Sequence, residues 1–221
     1  DVESLVGDLT RYPYGCLEQT VSKTLPLVAF RGPEPARDAA GDAVDVAARV
    51  AGAIRRVLSM QRSDGAFGLW SFAGSAEFWL SAYAGDFLTR ARKAGHDVDE
   101  LAFRNALRWL KRSTRVPEGA KPWRWEAAAY AFHVLSANGE ANLGDLRYFA
   151  DNNAQRASSP LAKAHLAAAL ARFGERDRAG TLTRDAITKA RALSVDPKDR
   201  SSDNYHGYYH TYGSPLRDAA A

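Results

Sequence analysis

Apolar residues recur along this chain at spacings of three and four, the period of a helix with one buried face. Between positions 42 and 60, Val44, Ala47, Ala48, Ala51, Ile54, Val57 and Leu58 fall on one such stripe. Trp79, Leu80, Tyr83, Phe87 and Leu88 form a second apolar face over 78–94, which Gly95 ends. Leu101, Ala102, Leu107, Trp109 and Leu110 form a third over 99–111. The same pattern predicts helices over 16–29, with Pro26 bending or ending it, over 127–137, closed by Asn138-Gly139, and over 143–155, 160–173 and 176–193. No segment alternates with a period of two for long enough to form a sheet, so any strands are confined to short hairpins such as 65–72. The expected fold class is all-α.

The connections are marked by turn formers and aromatics. Arg31-Gly32-Pro33-Glu34-Pro35 forces a turn, 61–74 carries three glycines and three aromatics, and Pro122-Trp123-Arg124-Trp125 reads as an aromatic loop. Helices that open after such loops begin near 16, 78, 125, 160 and 215, a spacing of roughly 35 to 60 residues that fits an array of helical hairpins. Such pairs can close into an α/α toroid with parallel inner helices and the loops gathered at one end. Cys16 is expected at that end. Ser214-Pro215 is a cap followed by proline, a good helix start, yet only six residues follow it. A helix that short has nothing to stabilise it alone, so the toroid is expected to be truncated at its C-terminal end.

Composition narrows the classes. A chain of 221 residues can bury about 70% of its unfolded surface, so a single domain over 1–221 is the expectation. Its 46% hydrophobic and 25% charged residues are ordinary for a globular protein. No apolar run approaches a membrane span, and the chain opens at Asp1 without a signal peptide. The formal charge of +4 comes from Lys and Arg scattered among Asp and Glu, which describes solvated helix faces rather than a nucleic-acid footprint.

The single cysteine, Cys16, excludes an internal disulfide and stands three residues before Gln19. If a helix starts there, the thiol and the carboxamide share a face. Helix starts favour negative charge, and Pro13 and Gly15 suit the tight turn before one. A Cys16 thiolate could then attack the Gln19 side-chain carbonyl, expel ammonia and leave an internal thioester, a stored acylating agent. A buried structural thiol beside a helical glutamine is the other reading of these two residues.

The string Tyr12-Pro13-Tyr14-Gly15-Cys16-Leu17-Glu18-Gln19-Thr20 resembles the thioester motif of bacterial alpha-2-macroglobulins, relatives of complement thioester proteins. The resemblance continues through Met60-Gln61, 64–70, 79–83, 86–88 and 212–218. It implies the thioester domain of a protease inhibitor, a fragment of a larger protein. In such a protein a protease cuts a bait region elsewhere, and the exposed thioester couples to a lysine of the attacker. Cys16 would be the leaving thiolate and Gln19 the acyl donor. Tyr12, Tyr14, Glu18, Trp70, Trp79, Tyr83 and Trp125 are expected to bind or shield the thioester, with Cys16 and Gln19 on the same end as Trp70 and Trp125. The implied partners are target proteases and the other domains of the parent, with no nucleic acid, no cofactor and no metal. The implied setting is the periplasm, with the parent anchored to the inner membrane as a lipoprotein.

Other constellations are weaker. His206 and His210 are spaced like zinc ligands on a helix, but Gly207 and the tyrosines around them describe a loop. Some complement relatives pass the acyl group to a histidine before a hydroxyl takes it. His133 lies inside a predicted helix rather than in a loop before one, so it reads as a packing residue, and amines are expected to be the preferred acceptors. The stretch 61–70 also resembles the Gln-Trp repeats of terpene cyclases, and protein prenyltransferases share the toroid. The chain lacks an Asp-x-Asp-Asp acid motif, and its one cysteine is already assigned. A toroid enzyme of that kind, or a cysteine hydrolase using Cys16 with a distant histidine, is the competing class.

Overall fold

Eight helices account for most of the described residues, which in this computed structural model are 15–29, 45–193 and 210–212. They are α1 (Leu17–Ala29), α2 (Val46–Leu58), α3 (Phe78–Lys93), α4 (Glu100–Ser113), α5 (Pro122–Ala137), α6 (Leu143–Asn152), α7 (Pro160–Arg172) and α8 (Arg176–Ala192). Among the described residues the only β pairing is an isolated antiparallel bridge between Gln61 and Phe67. The chain is all-α, as its periodicity predicts. The turn at 31–35, His206 and the Ser214-Pro215 helix start lie outside the described residues. By its internal contacts the chain divides into two units, 1–106 and 107–221.

In the first unit α1 packs against α2 and α3. Leu17, Val21, Thr24, Leu27 and Val28 line its buried side, each three or four residues from the next but for the final pair. Pro26 sits within α1, exposed, rather than ending it. Helix α2 starts at Asp45, whose carboxylate accepts the Ala48 N–H at 2.9 Å, and it buries Val50, Ala53, Ile54 and Val57. Helix α3 departs from the one-sided reading: Phe78 through Ala82, Ala84 through Thr89 and Ala91 are all buried, as in a helix surrounded by protein.

The connection from α2 to α3 is a folded loop rather than a hairpin. Met60, Ala66 and Phe67 are fully buried. Phe67 is held on both sides, its N–H by the Ser81 hydroxyl at 2.9 Å and its carbonyl by the Glu77 N–H at 3.0 Å. Gly68 donates to the Met60 carbonyl at 3.1 Å, and a Cβ on it would stand 2.2 Å from the Ser71 carbonyl oxygen. No other residue type fits there.

In the second unit α7 is the hub, packing against α5, α6 and α8. Helix α5 corrects the sequence reading. Residues 122–125 are its first turn and not a loop, because Pro122 occupies an early position where its missing N–H costs nothing. Trp125 is thereby turned inward, 5.9 Å from the Phe149 ring, with the Arg156 guanidinium 4.9 Å from its own ring centre. Helix α7 opens the same way, with Pro160 after Ser159, whose hydroxyl accepts the Ala162 N–H at 3.1 Å. Helix α6 ends at Asn152, short of the expected 155.

Helices α3, α5 and α7 stop alike. Gly95, Gly139 and Gly174 have φ of 92°, 72° and 77°, and the next residue's N–H returns to Ala91, Leu135 and Leu170 respectively. This is the left-handed glycine cap that satisfies a helix's last carbonyls.

An ion pair between a buried lysine and a partly exposed aspartate joins α7 to α8. The Lys163 side chain is wholly buried, its ammonium 2.7 Å from the Asp185 carboxylate and 3.2 Å from the Ala154 carbonyl.

Candidate functional site

The first turn of α1 is built around Cys16. The helix begins at Leu17, so Cys16 is its N-cap and Gln19 its third residue. The Cys16 N–H donates to the side-chain oxygen of Gln19 at 3.3 Å, and the Cys16 carbonyl accepts the Thr20 N–H at 2.9 Å and the Thr20 hydroxyl at 2.9 Å. Gln19 thus closes half of a capping box, in which a third-position carboxamide returns to the N-cap N–H. The carboxamide lies back over the residue that carries the thiol, as the i, i+3 spacing predicts. Cys16 is buried and free, and Gln19 is half-buried.

Three outside contacts hold this turn, and sequence reasoning identified none of them. The Leu17 N–H, unpaired in an isolated helix, donates to the Leu69 carbonyl at 2.8 Å, which ties the α2–α3 loop to the start of α1. An Arg56 Nη of α2 reaches the Gly15 carbonyl at 3.4 Å. Ser22 donates to the Glu18 carboxylate at 2.6 Å, and its oxygen lies 3.0 Å from the Tyr83 hydroxyl of α3. The Glu18–Ser22 spacing of four was a legible signal. Leu69 and Arg56 carried none, because a carbonyl and a surface arginine look alike anywhere in a chain. A Cβ on Gly15 would meet the Thr20 hydroxyl at 3.0 Å, so the turn before the helix is crowded.

The other expected residues are distributed unevenly. Trp79 is buried and its ring lies 5.1 Å from that of Tyr83, which is half-buried. Trp70 follows Leu69 directly, yet it and Phe72 are about two-thirds exposed, at 60% and 65%. Trp125 belongs to the second unit, and Tyr12 and Tyr14 lie outside the described residues. His133 lies on α5 in the second unit, its ring 5.1 Å from that of His165 and its Nδ1 3.4 Å from Arg172. His210 stacks on Trp123 at 4.7 Å. Among the described residues, no group of three or more His, Cys, Asp or Glu side chains could hold a metal ion. None of their helices is long and apolar enough to cross a membrane.

The alpha-2-macroglobulin of Escherichia coli K12 is 32% identical over the whole chain, which spans about an eighth (13%) of that protein. The crystal structure of native E. coli alpha-2-macroglobulin from domain MG7 to the C-terminus superposes with a TM-score of 0.79 at 32% identity, over 96% of this chain and 33% of that one. Salmonella alpha-2-macroglobulin reacted with methylamine gives 0.75 at 32% identity, over 96% of this chain and 14% of that one. These superpositions assign the α/α toroid class that the sequence resemblance implied. The model of the A-macroglobulin TED domain matches residues 2–121, and the chain belongs to that family.

Proposed function

We propose that Cys16 and Gln19 form an internal thioester, and that the chain is the thioester domain of a bacterial macroglobulin that traps proteases covalently. One observation carries the reading: the lone cysteine caps a helix whose third residue, a glutamine, is folded back onto it. Membership of the family and the likeness to a macroglobulin that had been reacted with methylamine support it.

The chemistry balances within the chain. The Cys16 thiolate adds to Cδ of Gln19, and the carboxamide nitrogen takes up a proton as the C–N bond breaks, leaving as ammonia. A lysine amine of an attacking protease then adds to the same carbon. The C–S bond breaks, an amide joins the two proteins, and the sulfur leaves as thiolate, which the proton lost by the amine converts to the free thiol. Each molecule reacts once, so the domain acts stoichiometrically and not as an enzyme. In the whole protein the partners would be the target protease and the neighbouring domains. The setting would be the periplasm, with the parent held at the inner membrane, which fractionation of the native host would test.

Intact mass spectrometry tests the chemistry. A thioester lowers the chain mass by one ammonia, methylamine adds to Gln19 and frees one thiol, and Cys16→Ala abolishes both changes. Methylamine is expected to outcompete glycerol by a wide margin. Glycerol coupling that disappears in His133→Ala would overturn the assignment of His133 to packing. A chain of unshifted mass that takes up no methylamine would count against the thioester.

A further inference from the structure

The first turn of α1 holds two groups that compete for the same field. The N-terminal end of a helix carries partial positive charge, which draws negatively charged groups, and both the Cys16 sulfur and the Glu18 carboxylate, two residues on, belong to this turn. A carboxylate free in a first turn folds back toward the unpaired N–H groups there and would set its charge beside the sulfur. Glu18 is tied elsewhere. Its Oε1 accepts the Ser22 hydroxyl at 2.6 Å, from a residue one turn further along the helix. A serine has one proton to give, so with that proton on Glu18 the 3.0 Å contact must run from the Tyr83 hydroxyl to Ser22. The direction of the whole chain, Tyr83 to Ser22 to Glu18, is fixed by its acidic end. Tyr83 is steadied in turn by the buried Trp79 ring.

We infer that Ser22 and Tyr83 are positioning residues that hold the Glu18 carboxylate on the flank of α1 and keep the positive end of the helix for the Cys16 sulfur. This deepens the thioester reading and rests on it for its purpose, since the same sulfur is nucleophile when the bond forms and leaving group when it breaks. Among the described residues, the other groups brought to this turn do not oppose the effect. From α2 the Arg56 guanidinium reaches the Gly15 carbonyl and adds positive charge, and the α2–α3 loop contributes the neutral Leu69 carbonyl. From α3 comes the Tyr83 phenol itself. Tyr83, expected from the sequence as a cover for the thioester, is given a different task by its hydroxyl.

The test is the pH–rate profile of Cys16 alkylation by iodoacetamide, on the full 221-residue chain after exhaustive methylamine treatment. Cys16 is then a free thiol whether or not a thioester had formed, so the outcome is separate from methylamine uptake, which tests the bond. Ser22→Ala is expected to slow alkylation at pH 7 roughly two- to fivefold and to move the profile to the alkaline side, the size of a first-turn charge effect. Tyr83→Phe keeps the ring and removes the hydroxyl, so it should act in the same direction and more weakly. It remains informative if Ser22→Ala misfolds. Glu18→Gln added to either variant should restore the original profile, because the released side chain then carries no charge. Unchanged profiles in both single variants, or a loss that persists with Glu18→Gln, would overturn the inference and leave Ser22 a helix-packing residue.

Discussion

The Cys16 N–H and the Gln19 side-chain oxygen are hydrogen-bonded at 3.3 Å, so the proposed acyl donor is also the residue that caps the helix presenting it. Reactivity and local stability therefore meet in one carboxamide, and substitutions can separate them. Gln19→Ala removes both roles and is expected to cost about 1 kcal/mol, as for other lost N-terminal caps, along with all methylamine uptake. Gln19→Glu keeps an acceptor for the Cys16 N–H, so urea denaturation should show little loss while methylamine uptake is still abolished. Equal destabilisation of the two variants would show that the capping contact contributes nothing.

Gly68→Ala is expected to destabilise the chain by about 1 to 3 kcal/mol, since its Cβ would overlap the Ser71 carbonyl oxygen at 2.2 Å and the backbone must shift to admit it. Gly68 adjoins Leu69, whose carbonyl holds the Leu17 N–H, so the same shift should reach the first turn of α1. Methylamine uptake in Gly68→Ala should fall well before the chain unfolds. Uptake at the original rate in a destabilised variant would uncouple the loop from the site.

In the second unit, Asp151 and Glu175 flank Arg178. The side-chain hydrogen bonds from Arg178 hold Asp151 below its ordinary value of 3.8. Hydrogen bonds from Arg147 and then from Arg178 hold Glu175 below its ordinary 4.5. A carboxylate whose folded-state value is depressed adds stability above its unfolded value and loses it as pH falls through the folded one. The stability that these two carboxylates contribute is therefore expected to be constant from pH 7 to about 5 and to be lost below about pH 4. The slope of that loss should be shallower in Arg178→Gln and in 1 M salt, since Asp151 and Arg178 are each about half exposed and so open to screening. An acid limb that neither Arg178→Gln nor salt alters would assign the loss to other groups.

Asp185→Ala should be more damaging than Lys163→Met. Removing the acid leaves a wholly buried ammonium with one carbonyl for company, at a cost of about 3 kcal/mol, whereas methionine fills the lysine's space and leaves Asp185 a route to water. Thermal denaturation of the two variants ranks them, and the reverse order would mean that the pair is not what holds Lys163 inside.

The helices were legible because burial imposes its period on the sequence wherever one face is wet. The face expected for α2 is only partly the face buried: Ile54 and Val57 are inside, but Ala47 and Ala48 are exposed, and Val50 and Ala53, which lie off the expected stripe, are buried. Helix α3 was legible as a helix but not as a surrounded one, since Ala82, Ala84 and Gly85 are small rather than conspicuously apolar. The start of α5 was misread because Pro122, Trp123 and Trp125 together read as a loop signal, although proline also suits the first turn of a helix, where Pro122 stands, and Trp125 packs inward on Phe149. At the site, the Cys16–Gln19 spacing pointed to the residue whose carboxamide bonds the Cys16 backbone N–H. The Leu69 carbonyl, Arg56 and the Tyr83 hydroxyl come from positions 41 or more residues away, and their approach depends on tertiary geometry that no local spacing encodes.

The bond from Leu17 to Leu69 also sets a clock. First-turn amides ordinarily exchange their hydrogens with solvent quickly, because nothing inside the helix accepts them. That of Leu17 is occupied by a carbonyl from the α2–α3 loop, so deuterium enters there only when the loop departs or the helix end frays away from it. The exchange rate at this one amide counts how often the turn bearing Cys16 comes loose from the loop, without labelling either side chain of the reactive pair.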